Sequence, residues 1–92
     1  MRFEFKPSFD RSIKQLSSPD KALVKDAAGK LIDVLSKDQE IYEGLGLKRL
    51  KDSFWEVRQG LKVRLLFRWD GDLVEFVLAG NHDDVKQFLK NN

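Results

Sequence analysis

The chain has 92 residues, 41% hydrophobic and 35% charged, with a formal net charge of +2. Such a length makes one domain, residues 1–92, whose single core hides roughly 60–65% of the surface the unfolded chain exposes. There is no cysteine, which excludes a disulfide framework, a zinc–thiolate centre and a thiol nucleophile. The opening MRFEFKPSFD has no signal-peptide apolar run, and no stretch approaches the ~20 apolar residues of a membrane span. A cytoplasmic protein with no membrane partner is expected.

Phe3 and Phe5 alternate with Arg2, Glu4 and Lys6, the period of a short half-buried strand. Pro7 ends it, lacking an N–H for the ladder. Ser8 then caps a helix carrying Phe9, Ile13 and Leu16. Ser18-Pro19-Asp20 restarts a longer helix, with a capping serine, an early proline and an acid at the positive end. Its apolar stripe is Val24, Ala27, Ala28, Leu31 and Leu35, flanked by Leu23, Ile32 and Val34. Gly29 inside it costs about 1 kcal/mol relative to alanine, which a close approach to another element would explain. Two helices adjacent in sequence predict a hairpin lying on a sheet.

Residues 39–53 read as loop. From Phe54 the period becomes two: a strand over Phe54–Arg58, a tight turn at Gln59-Gly60, a strand over Leu61–Trp69, a hairpin turn at Asp70-Gly71, and a strand over Leu73–Ala79. A short helix over Asp83–Lys90, with Val85, Phe88 and Leu89 on one side, closes the chain. The expected fold is α+β: an N-terminal strand, a two-helix hairpin, an antiparallel three-stranded meander completing a four-stranded sheet, and a short C-terminal helix.

The charge is unevenly spread. Residues 48–69 hold seven basic side chains against two acids, residues 1–47 eight against eight, and residues 70–92 two against five. A central basic block is a candidate polyanion footprint, or a solvated face. Strand alternation sorts it. Val57, Val63, Leu65 and Phe67 belong under the helices; Glu56, Arg58, Arg64 and Arg68 belong on the face the helices leave open. A two-residue turn would set Arg58 beside Leu61, with Arg64 on the diagonal. Converging guanidiniums favour a phosphate between them; pairing with Glu56 and Asp72 is the alternative. His82, the lone histidine, stands beside Asp83 and Asp84 in GNHDD. One histidine is too few for a His-Asp metal centre, so no metal or other cofactor is expected. The two acids suit the first turn of the last helix, with Asn81 or His82 at the cap and Gly80 freeing the turn. His82 is then either a solvent-exposed residue near the cap or a proton carrier beside Arg64.

The run LKRLKDSFWEVRQGLKVRLLFRWDGDLVEFVLAGNHDD resembles the C-terminal two-thirds of the RelE/ParE-type toxins of bacterial type II toxin–antitoxin systems. The matches are Leu47–Leu50, Trp55 with Arg58, Gly60, Val63-Arg64 and Gly80-Asn81-His82, and the start FKPSFDRSIKQL is similar too. The resemblance implies a microbial-ribonuclease-like fold. It implies a metal-independent, ribosome-dependent mRNA endoribonuclease, in which a ribose 2′-OH attacks the adjacent phosphorus. Arg64 would contact the scissile phosphate, with Arg58 beside it, and His82 would be the acid. Glu56, where some members have lysine, or Glu43 would be the base. Lys48, Arg49, Lys51 and Arg68 would bind RNA, and Phe88, near a tyrosine of some members, would stack on a base. The implied partners are an antitoxin protein, in a hetero-oligomer, and mRNA on the ribosome. Two other readings remain open. One is a ParE-like inhibitor of DNA gyrase; the other is a non-catalytic homologue that only binds antitoxin.

Overall fold

The computed structural model describes residues 1–37 and 46–91; Glu43 lies outside them. The elements run β1 (Arg2–Phe5), α1 (Pro7–Lys14), α2 (Ser18–Ser36), β2 (Leu47–Arg49), β3 (Phe54–Gln59), β4 (Val63–Asp70), β5 (Leu73–Gly80) and α3 (His82–Lys90). They form one sheet in the order β1-β5-β4-β3-β2. β1 lies parallel to β5, and β2 to β5 are antiparallel neighbours. The sheet therefore has five strands, not four. The extra one, β2, falls where a loop is expected: three residues with two exposed cations show no alternation, and only pairing with β3 makes them a strand.

Helix starts differ from expectation by two residues in α1 and one in α2. α1 has no side-chain cap; Pro7 begins it, and the Ser8 hydroxyl donates instead to Val77 O at 2.6 Å. α2 is capped by Ser17 rather than Ser18, accepting from the Asp20 N–H at 3.3 Å. A Cβ at Gly29 would meet nothing within 4 Å, so no close approach explains that glycine.

α1 and α2 share one face of the sheet. Phe9, Val24, Ala27, Ala28, Leu31 and Leu35 pack there on Val57, Val63, Leu65, Phe67, Val74, Phe76 and Ala79. Phe67 and Phe76 are fully buried. β4 and β5 slip register at Leu66/Phe67: Leu66 pairs with Leu78, and Phe67 with Phe76. The bulge turns Val77 and Leu78 to the same side, away from α1 and α2. There they meet Leu66, Val85, Phe54, Phe88 and Leu89 in a second, smaller core. The face expected to be open is therefore covered in its middle by α3.

β1 ends at Phe5, so β5 beyond Phe76 lacks a neighbouring strand on the side away from β4. α1 fills that edge. Ser8 takes Val77 O, and the Ser12 hydroxyl accepts from the Ala79 N–H at 2.9 Å. Serines one helical turn apart thus complete the ladder at the bulge. No helix among the described residues is long and apolar enough to cross a membrane.

Candidate active site

β3 and β4 pair through Gln59↔Val63, leaving Gly60, Leu61 and Lys62 as the turn. Gly60 has φ +67°, a conformation glycine reaches without strain. The longer turn changes the expected register, so Arg58 stands directly opposite Arg64 instead of Leu61. Like charges directly opposite destabilise a sheet. Glu56, two residues back on β3 and on the same face, supplies the counter-charge: its Oε2 lies 3.8 Å from Arg64 Nε, with side chains 7% and 10% exposed. Asp72 takes no part; it pairs with Arg2 at 3.5 Å.

At 3.8 Å that ion pair is too long for a hydrogen bond. Arg64 Nε and Nη1 are buried and have no hydrogen-bond partner among the described residues. A buried donor without a protein partner costs about 1–3 kcal/mol, more when charged, unless a water, an ion or a functional partner supplies the acceptor.

Arg64 also pairs with Gly80, the last residue of β5. The chain turns at Asn81 and enters α3 at His82. Asn81 Oδ1 accepts from the Asp84 N–H at 2.8 Å, and the Asp84 carboxylate accepts from the Asn81 N–H at 2.9 Å, a reciprocal capping box. Gly80 serves this turn through space rather than through backbone freedom. A Cβ there would lie 2.5 Å from Asp84 Oδ2 and 2.8 Å from Asp84 Cβ, and its φ is not positive. The fixed turn brings His82, exposed, to the same shallow depression as Arg64. Leu61, Lys62, Asn81 and Asp83 complete its lining, and its volume is about 400 Å³.

The structure thus gathers Glu56, Arg58, Arg64 and His82 at one end of the sheet, with Lys48 opposite Glu56 on β2. The other basic residues lie elsewhere. Arg49 points to the opposite face, its guanidinium 6.0 Å from the Trp55 ring centroid. Lys51 donates to Leu89 O, where a cation suits the negative end of α3. Arg68 donates to Ser53 Oγ at 3.1 Å and reaches Glu75 at 4.0 Å. Four residues separate it from Arg64 along β4, about 13 Å. The Phe88 ring packs edge-on to Phe54, centroids 6.2 Å apart, within the second core. Lys62 and Asn81 line the depression although sequence reasoning did not name them as site residues. The signal for Lys62 was its place in the loop between two arginine-bearing strands. Among the described residues no three His, Cys, Asp or Glu side chains come together as a metal-ligand set.

The sequence matches no protein-family model and no curated protein. Solved structures do match. A copper-bound mutant toxin from Helicobacter pylori superposes with TM-score 0.70 at 18% identity, over 92% of this chain and 98% of that one. The toxin–antitoxin complex RelB-RelE from Methanococcus jannaschii gives 0.66 at 14%, over 92% and 96%. The Escherichia coli DinJ-YafQ toxin–antitoxin complex gives 0.67 at 11%, over 90% and 93%. This is the RelE-type toxin fold. At these identities the likeness establishes the fold, and the chemistry is argued from the residues. On this RelE-type sheet the four polar residues at one end form the one cluster that joins a buried unsatisfied cation to an exposed imidazole among the described residues.

Proposed function

We propose that the chain is the toxin of a type II toxin–antitoxin pair and a metal-independent endoribonuclease that cuts mRNA on the ribosome. One observation carries this reading: the Arg64 guanidinium is buried, stands opposite Arg58 in the β3–β4 ladder, and has two nitrogens without a partner among the described residues, at a depression that also holds His82. A phosphodiester fits this place, because its oxygens accept from guanidinium N–H groups and its charge relieves the Arg58–Arg64 repulsion.

In the proposed reaction Arg64 and Arg58 hold the scissile phosphate and stabilise the charge gathering on its oxygens. The neighbouring ribose 2′-oxygen forms a bond to phosphorus while the bond to the 5′-oxygen breaks, giving a 2′,3′-cyclic phosphate and a 5′-hydroxyl. Two proton carriers flank Arg64. Glu56, beneath it, takes the 2′-OH proton and orients the guanidinium. His82, at the open rim, gives a proton to the departing 5′-oxygen; imidazoles as a class do such work near neutral pH. Lys48 and Lys62 extend the positive surface along the RNA, and an antitoxin covering this end would silence it. The sequence resemblance to RelE/ParE-type toxins and the fold of the solved toxins support the reading.

Inducing the chain in bacteria and mapping transcript ends by primer extension tests it. Cuts at defined codon positions are expected, with Arg64→Ala and His82→Ala each reducing cutting about 100-fold or more and relieving growth arrest. Intact mRNA with accumulating relaxed DNA would replace the proposal with gyrase inhibition. Intact mRNA without growth arrest would leave antitoxin binding alone.

A further inference from the structure

The two edges of the sheet differ in charge. β2 carries Lys48 and Arg49 and no acid, so two copies of it would repel. β1 carries both signs, in the order Arg2-Phe3-Glu4-Phe5. The Arg2 and Lys6 N–H groups donate to β5, so by strand alternation the backbone groups of Phe3 and Phe5 point outward. No strand lies on that side among the described residues, and such an edge is a template for a further strand. Met1 and Phe5, each 48% exposed, are large apolar side chains open to solvent at this edge. Phe5 also lines an apolar groove of about 700 Å³ between α1 and α2, so the uncovered apolar surface continues past the strand.

We propose that β1 pairs antiparallel with β1 of a second copy of this chain, about a two-fold axis at Phe3, so that two sheets become one. The outward backbone groups allow an axis at Phe3, Glu4 or Phe5. An axis at Glu4 sets Glu4 against Glu4 and Arg2 against Lys6, like charges throughout. An axis at Phe5 brings Phe3 of one copy to Pro7 of the other, which has no N–H to offer. An axis at Phe3 sets Arg2 of each copy against Glu4 of the other. It also sets Phe3 against Phe3, and Met1 against Phe5 on both sides of the axis. The exposed apolar pair of one copy then covers that of the other. Within the chain Arg2 and Glu4 make only exposed ion pairs, to Asp72 at 3.5 Å and to Lys6 at 3.3 Å, which are worth little in water. β1 reaches only as far as Phe76 on β5, whereas Arg64 pairs with Gly80. The dimer therefore leaves the Arg64–His82 depression open, and it forms whether or not the chain cuts RNA.

Sedimentation velocity of the full chain, from about 10 µM to about 1 mM, tests the pairing, because a short edge interface gives a weak dimer. Wild type is expected to pass from monomer to dimer within that range. Arg2→Glu and Glu4→Arg each set like charges opposite one another at both pairs, and each is expected to weaken the dimer about tenfold. Mixing the two variants in equal amounts restores opposite charges at both pairs and is expected to return the wild-type affinity, which a folding defect in either variant would prevent. The chain has no cysteine, so introduced thiols report the register. Arg2→Cys mixed with Glu4→Cys should oxidise to a mixed disulfide, since directly opposed residues of this kind have Cα atoms about 4.5 Å apart. Faster linking of Glu4→Cys to itself would move the axis to Glu4 and overturn the register. Dimerisation unchanged by both charge variants, or not restored by mixing them, overturns the proposal. So does a wild type monomeric throughout the range, which would leave this edge to an extended segment of another protein.

Discussion

Gly80→Ala should loosen the start of α3 by an amount the structure allows to be worked out. The three atoms nearest to an added methyl all belong to Asp84: Oδ2 at 2.5 Å, Cβ at 2.8 Å and Cγ at 3.0 Å. Rotating the carboxylate away would relieve the first contact but not the Cβ, which belongs to the helix itself. The helix start must therefore move, and the capping box formed by Asn81 and Asp84 opens with it. Overpacking costs about 1–3 kcal/mol and loss of a side-chain cap about 0.5–2 kcal/mol. Together they predict about 2–4 kcal/mol, a fall in Tm of at least about 10 °C for a domain this size. Urea unfolding followed by the fluorescence of Trp55 and Trp69 measures it. In an Asp84→Gly background all three clashing atoms are gone, and the same Gly80→Ala change should cost under about 1 kcal/mol, since the cap is already lost and only the small strand-end penalty remains. An equal cost in both backgrounds would refute the steric argument. Because His82 follows Asn81 directly, the single variant should also lose the proposed RNA cutting at temperatures where it remains folded.

Two further perturbations probe how the site's frame is held. Ser12→Ala removes the acceptor of the half-buried Ala79 N–H and should cost about 1–3 kcal/mol by urea unfolding, with faster amide exchange at Ala79 than at Phe67; unchanged exchange would mean that α1 does not serve as the edge of β5. The Lys6 ammonium is held above its ordinary 10.5, first by its hydrogen bond to Glu75 and next by that to Glu4. A raised folded value stabilises fully below the unfolded value and fades as pH rises through the folded one. Stability should thus decline above about pH 10.5 in wild type, and Lys6→Met should lack that part of the decline; identical alkaline profiles would contradict it.

Local chemistry announces much of this protein. Period-two runs place Glu56, Arg58 and Arg64 on one face, and Pro7, Pro19 and Gly71 punctuate the elements where the backbone requires it. Gly71, with φ +60°, sits first of the two central residues between the paired Asp70 and Leu73. The acids of GNHDD do start a helix, with Asp84 in the capping box. These features depend on neighbours a few residues away, so the order of residues alone determined them. Alternation says which side chains share a face but not what will cover it. α3 crosses the face of Leu66 and Leu78 because the bulge at Val77 turns two successive apolar residues that way, and a bulge shows only when β4 and β5 pair. β2 exists through its pairing with β3, and the Arg58–Arg64 opposition depends on a three-residue turn. The basic block, contiguous in sequence, is divided by tertiary structure: Arg58, Lys62 and Arg64 go to the site, Lys51 and Arg68 to the far end, and Arg49 to the other face. Pairing register and helix docking join residues distant along the chain, and only the folded sheet decides them.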